Sequence, residues 1–347
     1  MKLSRIVPLG PARFDRHRVR GLTLDGTSLS VPLRRKEAAA MTATHLILHQ
    51  YDISPFSQKA QKMMGLKGLA WQSIEMPLIA PKPDVEALTG GYRGTPILQR
   101  GADIYVDNWM IARALDDFDA SLPRLNSQGA LQAAAGYAWS ERFFTPLLHT
   151  AFATYKDQWD DDFRADRQQV FPDVDFNTLA VVDPERQSQV RAFVSMIAQQ
   201  LTRGNAFLNG DLPDGWDVHV WGMCWMIHSA LPDLIPVVNA FPAVANWYRQ
   251  MSDLGVGERA DVTIEVAWHQ LSEGQKAPLP NAPADEPLRD WLGQTVVVGT
   301  GSADRGASTG RLLAVDAEQV VIASEPREGA SAQVWFPRFG YALSLAN

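Results

Sequence analysis

The sequence predicts an α/β domain, then an all-helical domain, and finally a small antiparallel β module. Within residues 44–120, strand-like alternation and helix-like spacing of apolar residues follow one another as β-α-β, a crossover, and β-β-α. Apolar residues at helical spacing then fill most of residues 128–271. A proline-rich linker at 272–289 leads to short β runs separated by turn-forming residues at 290–347. These three observations together set the fold class.

Composition narrows the class of protein. The chain has 347 residues, 46% of them hydrophobic, which is enough for two or three domains. It has one cysteine, Cys224, so neither an intrachain disulfide nor a cysteine-built metal site is expected. The sequence also lacks an apolar run near the roughly 20 residues that span a bilayer. We therefore expect a cytoplasmic protein with no membrane partner.

Charge is distributed unevenly along the chain. Residues 1–40 carry nine Lys/Arg against three Asp/Glu, which gives this segment a charge of +6. Since the whole chain has a net charge of −7, the remaining residues carry −13. An acidic body argues against a nucleic-acid partner, whose phosphates need a basic surface. Residues 1–43 are expected to be a basic and disordered extension, either a targeting-like or interaction segment or a dispensable one, since Met41 precedes the first strand.

The first domain begins with a strand at residues 44–51 and a helix that opens at Ser54-Pro55. The helix has apolar residues at i, i+4, i+7 and i+8, namely Phe56, Ala60, Met63 and Met64. The polar residues between them are expected to face water; they are Gln58, Lys59, Gln61 and Lys62. A second strand follows near Trp71, and Arg100-Gly101 marks a hairpin before a helix at Asp107.

The second domain should be dominated by a long helix over residues 131–155, in which Pro146 is expected to cause a kink. The acidic run at 160–162 is interpreted as a solvated face rather than a metal site, and no metal is predicted anywhere in the chain. The C-terminal β runs suggest a small barrel-like module that packs on the body or mediates assembly.

Four separated motifs resemble one known family. They are Ser54-Pro55-Phe56-Ser57, Thr95-Pro96, the Asp214/Asp217 pair at a helix start, and the Phe-Pro-x-Val helix opening at Phe241. Together they resemble the soluble, serine-type glutathione S-transferases, here with an extra C-terminal β module. The resemblance implies a thioredoxin-like N-terminal domain, a helical-bundle domain of glutathione transferase type and a homodimer. It also implies glutathione as the bound thiol.

Ser54 and Ser57 are the candidate catalytic residues that this resemblance indicates. Ser54 matches the serine that donates a hydrogen bond to the thiolate in the serine-type classes, and Ser57 is a second candidate donor. Only a thiolate attacks electrophiles well, and a free thiol with a pKa near ~8.5 is mostly protonated at neutral pH. A hydroxyl and a helix N-terminus both stabilise the anion. From the local sequence alone, Ser54 is interpreted as an ordinary N-cap, and the thiol-side role is favoured only together with Thr95-Pro96 and Asp107.

Thr95-Pro96 resembles the family's cis X-Pro motif, whose backbone pairs with the peptide part of glutathione. Without the resemblance, a proline at this place is typical of an edge strand. The family often has a lysine two residues before the proline, where this chain has Gly94. Arg93, displaced by one position, is therefore a candidate for the glycine carboxylate, with Lys82 as a further one.

Asp107-Asn108 is similar to the acidic residue and hydroxyl residue that bind the γ-glutamyl group. The ligand carboxylate would meet the helix N-terminus, and Asp107 would pair with the α-ammonium. Asn108 departs from the usual Ser or Thr, although its amide can donate to a carboxylate. Alternatively, Asp107 is a plain N-cap.

The resemblance implies an electrophile pocket over the helical domain. Its candidate residues are Tyr137, Phe143, Phe144 and His149, which at helical spacing are also typical of a core. The predicted function is conjugation of glutathione to a hydrophobic electrophile. The alternatives are glutathione-dependent ether cleavage, dehalogenation or isomerisation, or a non-catalytic binding or assembly protein.

Overall fold

A mixed sheet with helices on both faces organises the first part of the computed structural model, which describes residues 45–180, 183–301, 305–327 and 330–346. The predicted extension at 1–43 lies outside the described residues. The first elements are β1 (Leu46–Gln50), α1 (Pro55–Leu66), β2 (Ala70–Glu75), α2 (Pro83–Thr89), β3 (Ile97–Arg100), β4 (Asp103–Val106) and α3 (Asp107–Phe118). β1 pairs in parallel with β2 and antiparallel with β3, which pairs antiparallel with β4. This order confirms the thioredoxin-like domain.

The helical domain follows as predicted. It contains α4 (Ala130–Tyr155), α5 (Asp161–Val170), α6 (Pro184–Leu201), α7 (Gly215–Ala230), α8 (Ile235–Asn239) and α9 (Pro242–Asp253). α4 continues through Pro146. Asp214 and Asp217 form a reciprocal capping box at the start of α7, the most buried helix of the domain. Asp160 is an N-cap whose carboxylate accepts the Phe163 N–H at 2.8 Å, so the acidic run begins a helix.

The segment after α9 returns to the sheet instead of extending the helical domain to residue 271. β5 (Glu258–Asp261) pairs in parallel with β2, and in α10 (Ile264–Glu273) Ala267 packs against Ile47 and Ile74. The apolar spacing of α10 predicted a helix correctly, but periodicity does not specify which neighbour a helix packs on. β5 is a short edge strand with mostly exposed side chains and no alternation to reveal it.

The C-terminal module is antiparallel, as predicted. It consists of β6 (Thr295–Gly299), β7 (Ala307–Val315), β8 (Gln319–Arg327), β9 (Ala330–Pro337) and β10 (Ala342–Leu345). Its strands do not close into the expected separate barrel, because β9 pairs in parallel with β4. Over the described residues this makes one ten-stranded sheet with β10 at one edge and β5 at the other. β9 covers the edge of β4 that would otherwise expose unpaired backbone groups.

The linker and α2 connect this module to the first domain. Residues 274–288 form neither helix nor strand. Two hydrogen bonds hold them beside the start of β4: Ala102 N donates to the backbone Gln275 O at 3.2 Å, and Ala277 N donates to the side-chain Oδ2 of Asp103 at 2.7 Å. The apolar side of α2 shares a core with the inner faces of β6 to β9, through residues such as Val85, Leu88, Ile322 and Val334. The module therefore packs next to the crossover that leads to Thr95-Pro96.

Three of the four polar residues of α1 are buried, which corrects the expectation that they face water: Lys59, Gln61 and Lys62 are buried, and Gln58 is half-exposed. Lys59 Nζ lies 2.9 Å from Glu141 and 3.3 Å from Ser140 Oγ on α4. Lys62 Nζ donates to Ser252 O and Gly255 O at 3.2 and 2.9 Å. The helical domain covers the two lysines, and each ammonium keeps hydrogen-bond partners there. Within the described ranges, every helix is too short or too polar to cross a membrane.

Candidate functional site

The three predicted site motifs lie at the same end of the central strands β1, β3 and β4, and this end is called the sheet edge of the site below. His49 of β1 is opposite Ile97 of β3, and Ile97 is opposite Val106 of β4. Ser54 follows β1, Thr95-Pro96 precedes β3, and Asp107 follows β4. Strand register alone therefore brings the motifs to the same end of the three strands, although they are separated by about fifty residues in sequence.

Ser54 is the N-cap of α1. Its Oγ accepts the Ser57 N–H at 3.3 Å, and Pro55 occupies the first turn. The residue is 6% exposed. A hydroxyl has one donor as well as two acceptor sites, so capping leaves the Ser54 O–H able to donate to a ligand. The two interpretations of Ser54, cap and thiol donor, are compatible.

Ser57 lies deeper than Ser54. It is fully buried, and its Oγ has no hydrogen-bond partner among the residues that the structure describes. Its role as a second thiol donor stays a prediction, and a ligand would have to reach past the first turn of α1 to contact it.

The Thr95–Pro96 peptide bond is cis, which confirms the geometry implied by the resemblance. Lys82 Nζ donates to Thr95 Oγ1 at 3.2 Å and lies 5.0 Å from the ring centre of Tyr51. Burial, and then the charge of Arg167, lowers the pKa of Lys82 to about 8. The ammonium group of Lys82 therefore lies next to the cis-proline motif, and its role toward a ligand carboxylate stays a prediction.

Steric crowding explains why position 94 is a glycine and not the lysine that the family often has there. A Cβ at this position would overlap the phenol ring of Tyr92, which is buried against Phe336 and Tyr341 of the C-terminal segment. The space that a lysine would need is therefore filled. The backbone N–H of Arg93 donates to Arg305 O at 2.8 Å, so Arg93 is connected to the loop before β7, and its role toward a carboxylate stays a prediction.

Asp107 is the most highly bonded residue at this edge. Its Oδ1 accepts Tyr137 Oη at 2.7 Å and Trp109 N at 3.0 Å. Its Oδ2 accepts Arg305 Nη1 at 3.1 Å and Tyr341 Oη at 3.3 Å. Its φ of 78° is in the left-handed region that a non-glycine residue rarely adopts. Such strain persists where surrounding contacts over-determine it, as these four do.

Asn108 joins α3 to α1. Its Nδ2 donates to Phe56 O at 3.1 Å, and its Oδ1 is buried with no partner among the described residues. One amide hydrogen is therefore committed to the first turn of α1. The predicted contact of Asn108 with a ligand carboxylate is not tested by these contacts and stays a prediction.

The four predicted pocket residues separate into two groups. Tyr137 reaches Asp107, and Phe144 meets Phe56 edge to face with ring centres 4.7 Å apart, so both touch the first domain. Phe143 instead packs on Phe193, 3.7 Å between ring centres, inside the helical domain. His149 is partly buried, and burial followed by the charge of Arg186 lowers its pKa.

Sequence reasoning missed the C-terminal contributions to the site. Arg305 and Tyr341 lie in loops of the β module, 198 and 234 residues after Asp107, with no motif around them. It also missed His219. The His219 ring meets Tyr137 edge to face with ring centres 5.2 Å apart, and burial strongly lowers the pKa of His219. For all three, only the folded chain reveals the neighbours.

Comparisons with known proteins agree with this geometry. The family model described as the glutathione S-transferase N-terminal domain matches residues 48–120. A GST-like protein from Pseudomonas syringae is 31% identical, with a TM-score of 0.71, over 88% of this chain and 100% of that chain. Coverage of that extent requires residues of the C-terminal module.

A second solved structure, glutathione transferase GSTFuA2 from Phanerochaete chrysosporium, is 18% identical over 62% of this chain and 100% of its own, with a TM-score of 0.50, and indicates the fold alone. A search of curated proteins found no match. The relative from Pseudomonas, matched over its full length, together with the matching N-terminal domain, establishes the family. This chain belongs to the glutathione S-transferase family.

Proposed function

We propose that the protein is a glutathione transferase-like enzyme that binds glutathione at the sheet edge, holds its sulfur as a thiolate, and conjugates it to a hydrophobic electrophile. The observation that carries the proposal is the position of Ser54. This hydroxyl caps α1, keeps a hydrogen to donate, and follows β1 at the edge that also carries the cis Thr95–Pro96 bond.

The chemistry requires preferential stabilisation of an anion. Lowering a thiol pKa by about two units from ~8.5 takes about 2.7 kcal/mol. A hydrogen bond to a charged group contributes about 1.5–3 kcal/mol, and a helix N-terminus about 0.3–1 kcal/mol. The Ser54 hydroxyl and the N-terminus of α1 together supply an effect of this size.

The remaining parts of the ligand would meet groups that lie near the same edge. We assign the peptide portion to the backbone of Thr95, and the glycine carboxylate to Lys82, whose Nζ is 3.2 Å from Thr95 Oγ1. The electrophile would lie against Phe56 and Phe144, because this pair joins the turn after Ser54 to the helical domain. Apolar side chains of this kind favour a hydrophobic second substrate.

The test measures the pKa of the bound glutathione thiol by the pH dependence of thiolate absorbance, together with the conjugation rate toward an aryl halide. Ser54→Gly removes the hydroxyl but keeps an acceptable N-cap, which costs only a few tenths of a kcal/mol. We expect the thiol pKa to return toward ~8.5 and the rate to fall roughly 10- to 100-fold.

Ser54→Thr is the matched control, because it retains both the cap and the hydroxyl and should keep the lowered pKa. If Ser54→Gly keeps the full rate, Ser54 acts only as a cap. If the wild type binds no glutathione and lowers no thiol pKa, the proposed function is wrong.

A further inference from the structure

The C-terminal module contributes directly to the candidate site. Arg305, in the turn before β7, and Tyr341, just before β10, both reach Asp107. The Asp107 side chain is 6% exposed and that of Arg305 is 29% exposed. A ligand that approaches from solvent therefore meets the guanidinium before the carboxylate.

Asp107 has no spare capacity for a ligand ammonium. A carboxylate offers about four lone-pair sites. Its two oxygens already accept four hydrogen bonds, from Tyr137, Trp109, Arg305 and Tyr341, at 2.7 to 3.3 Å. An α-ammonium group could pair with Asp107 only by displacing one of these donors.

The donors around Asp107 hold their hydrogens. Burial, and then the charge of Asp107, raises the pKa of Tyr137 well above its usual value. Burial, with Tyr92 and Asp107 beside it, raises the pKa of Tyr341 strongly. Both phenols therefore remain donors, and the Arg305 guanidinium compensates the charge of Asp107. An ammonium in this place would face a cation instead of an unpaired carboxylate.

The backbone positions Arg305. Arg93 N donates to Arg305 O at 2.8 Å, which attaches the turn to the loop before the cis proline. The next residue, Gly306, has a φ of 67°, and a Cβ there would lie 2.8 Å from Gly91 O. A glycine is thus required for the close approach of the two loops. Arg305 is held at Asp107 by the close packing of the two backbone loops as well as by its ion pair.

We propose that Arg305 makes the site select acidic thiols whose α-amino group is absent or blocked, over glutathione with its free ammonium. This inference rests on the proposed function and names its ligand class. A guanidinium has five N–H donors. While Nη1 donates to Asp107, the group can also receive the α-carboxylate that such a ligand keeps, in the planar geometry that arginine favours.

The experiment compares glutathione with its des-amino analogue, glutaryl-cysteinyl-glycine, by calorimetry on the full chain. The two ligands share the thiol, the peptide and both carboxylates, and differ in the ammonium. We expect the wild type to bind the analogue more tightly. Arg305→Gln should move the ratio of dissociation constants roughly tenfold or more toward glutathione, whereas Arg305→Lys, which keeps the positive charge but not the planar set of donors, should keep part of the wild-type preference.

Arg113→Gln is the matched control. Its side chain is also 29% exposed and forms an ion pair with the same module, to Glu318 on the turn between β7 and β8. It should leave the ligand ratio unchanged. If Arg305→Gln leaves the ratio unchanged while both thiols bind, Arg305 does not set selectivity and the proposed function stands. If neither thiol binds any of the proteins, the proposed function fails, and this inference with it.

Discussion

The two ends of the candidate site differ in how far their polar atoms are already bonded. At the thiol end, Ser54 Oγ accepts one hydrogen bond, from the Ser57 N–H. At the other end, the carboxylate of Asp107 accepts four. Both residues begin helices at the same sheet edge. The comparison teaches that the Ser54 hydroxyl keeps a hydrogen that it can still donate, whereas the Asp107 carboxylate is fully used by hydrogen-bond donors of the protein itself.

The cause of the difference is the extended sheet. Because β9 pairs with β4, the strand that ends just before Asp107, the chain that follows β9 passes near this residue and brings Tyr341 to it. α1, after Ser54, is instead covered by the helical domain, as in its Lys59–Glu141 pair. The additional strands therefore act on one end of the site and leave the N-cap of α1 as it is.

The largest expected effect is on stability at Asp107. Asp107→Ala removes the acceptor of two phenols, one backbone N–H and Arg305, and leaves alanine at a φ of 78°. We expect a loss of about 2–4 kcal/mol in the free energy of unfolding, measured with urea. Ser54→Ala, which loses one cap, should cost about 0.5–2 kcal/mol.

Asp261→Ala is the control for loss of a carboxylate in an ion pair. Its side chain is 77% exposed beside Arg259, so the free energy of unfolding should change by less than about 1 kcal/mol. If Asp107→Ala costs no more than this control, the four contacts do not stabilise the fold, and the contrast between the two ends disappears.

A second expected effect is a pH dependence at Lys82. Burial lowers the pKa of Lys82 from 10.5 to about 8, so its charge is lost in the folded protein as the pH rises through 8. Affinity for a ligand carboxylate should then fall roughly tenfold across this range. Calorimetry with S-methylglutathione, which has no titrating thiol, measures it, and Lys82→Arg should keep its affinity because arginine stays charged.

The same group affects stability with the opposite sign. Between pH 8 and 10.5 the unfolded chain holds a proton on Lys82 that the folded protein does not, so the free energy of unfolding should rise with pH over this window. Lys82→Met should remove that rise. An unchanged affinity for S-methylglutathione above pH 8 would show that Lys82 does not bind the carboxylate.

The sequence predicted the elements and motifs that depend on local pattern. The strands and helices around Ser54 and Asp107, the capping box at Asp214 and the cis bond at Thr95 were anticipated from periodicity or resemblance, and the structure contains them. Register then explains why motifs fifty residues apart share one edge.

Long-range pairing was not predictable from the same patterns. A lysine on the polar face of a helix is usually exposed to water, and this is the expectation for Lys59. The side chain is instead buried against Glu141 and Ser140 of α4. The sequence around Arg305 contains no signal for its contact with Asp107. The contact depends on the pairing of β9 with β4, which takes the place of a closed barrel. Strand alternation indicates that a strand exists and does not name its partner.

The smallest expected effect concerns Ser57 and gives the strictest test of the thiol end. Ser57 Oγ is buried without a partner in the described part of the chain, so Ser57→Ala removes a hydroxyl that forms no bond there. Alanine also has the higher helix propensity, and the free energy of unfolding should change by less than about 0.5 kcal/mol or rise. The conjugation rate and the thiol pKa of Ser57→Ala should match those of the wild type, whereas Ser54→Gly should have a lower rate and a higher thiol pKa. The reverse result would identify Ser57 as the thiol donor and reduce Ser54 to a cap.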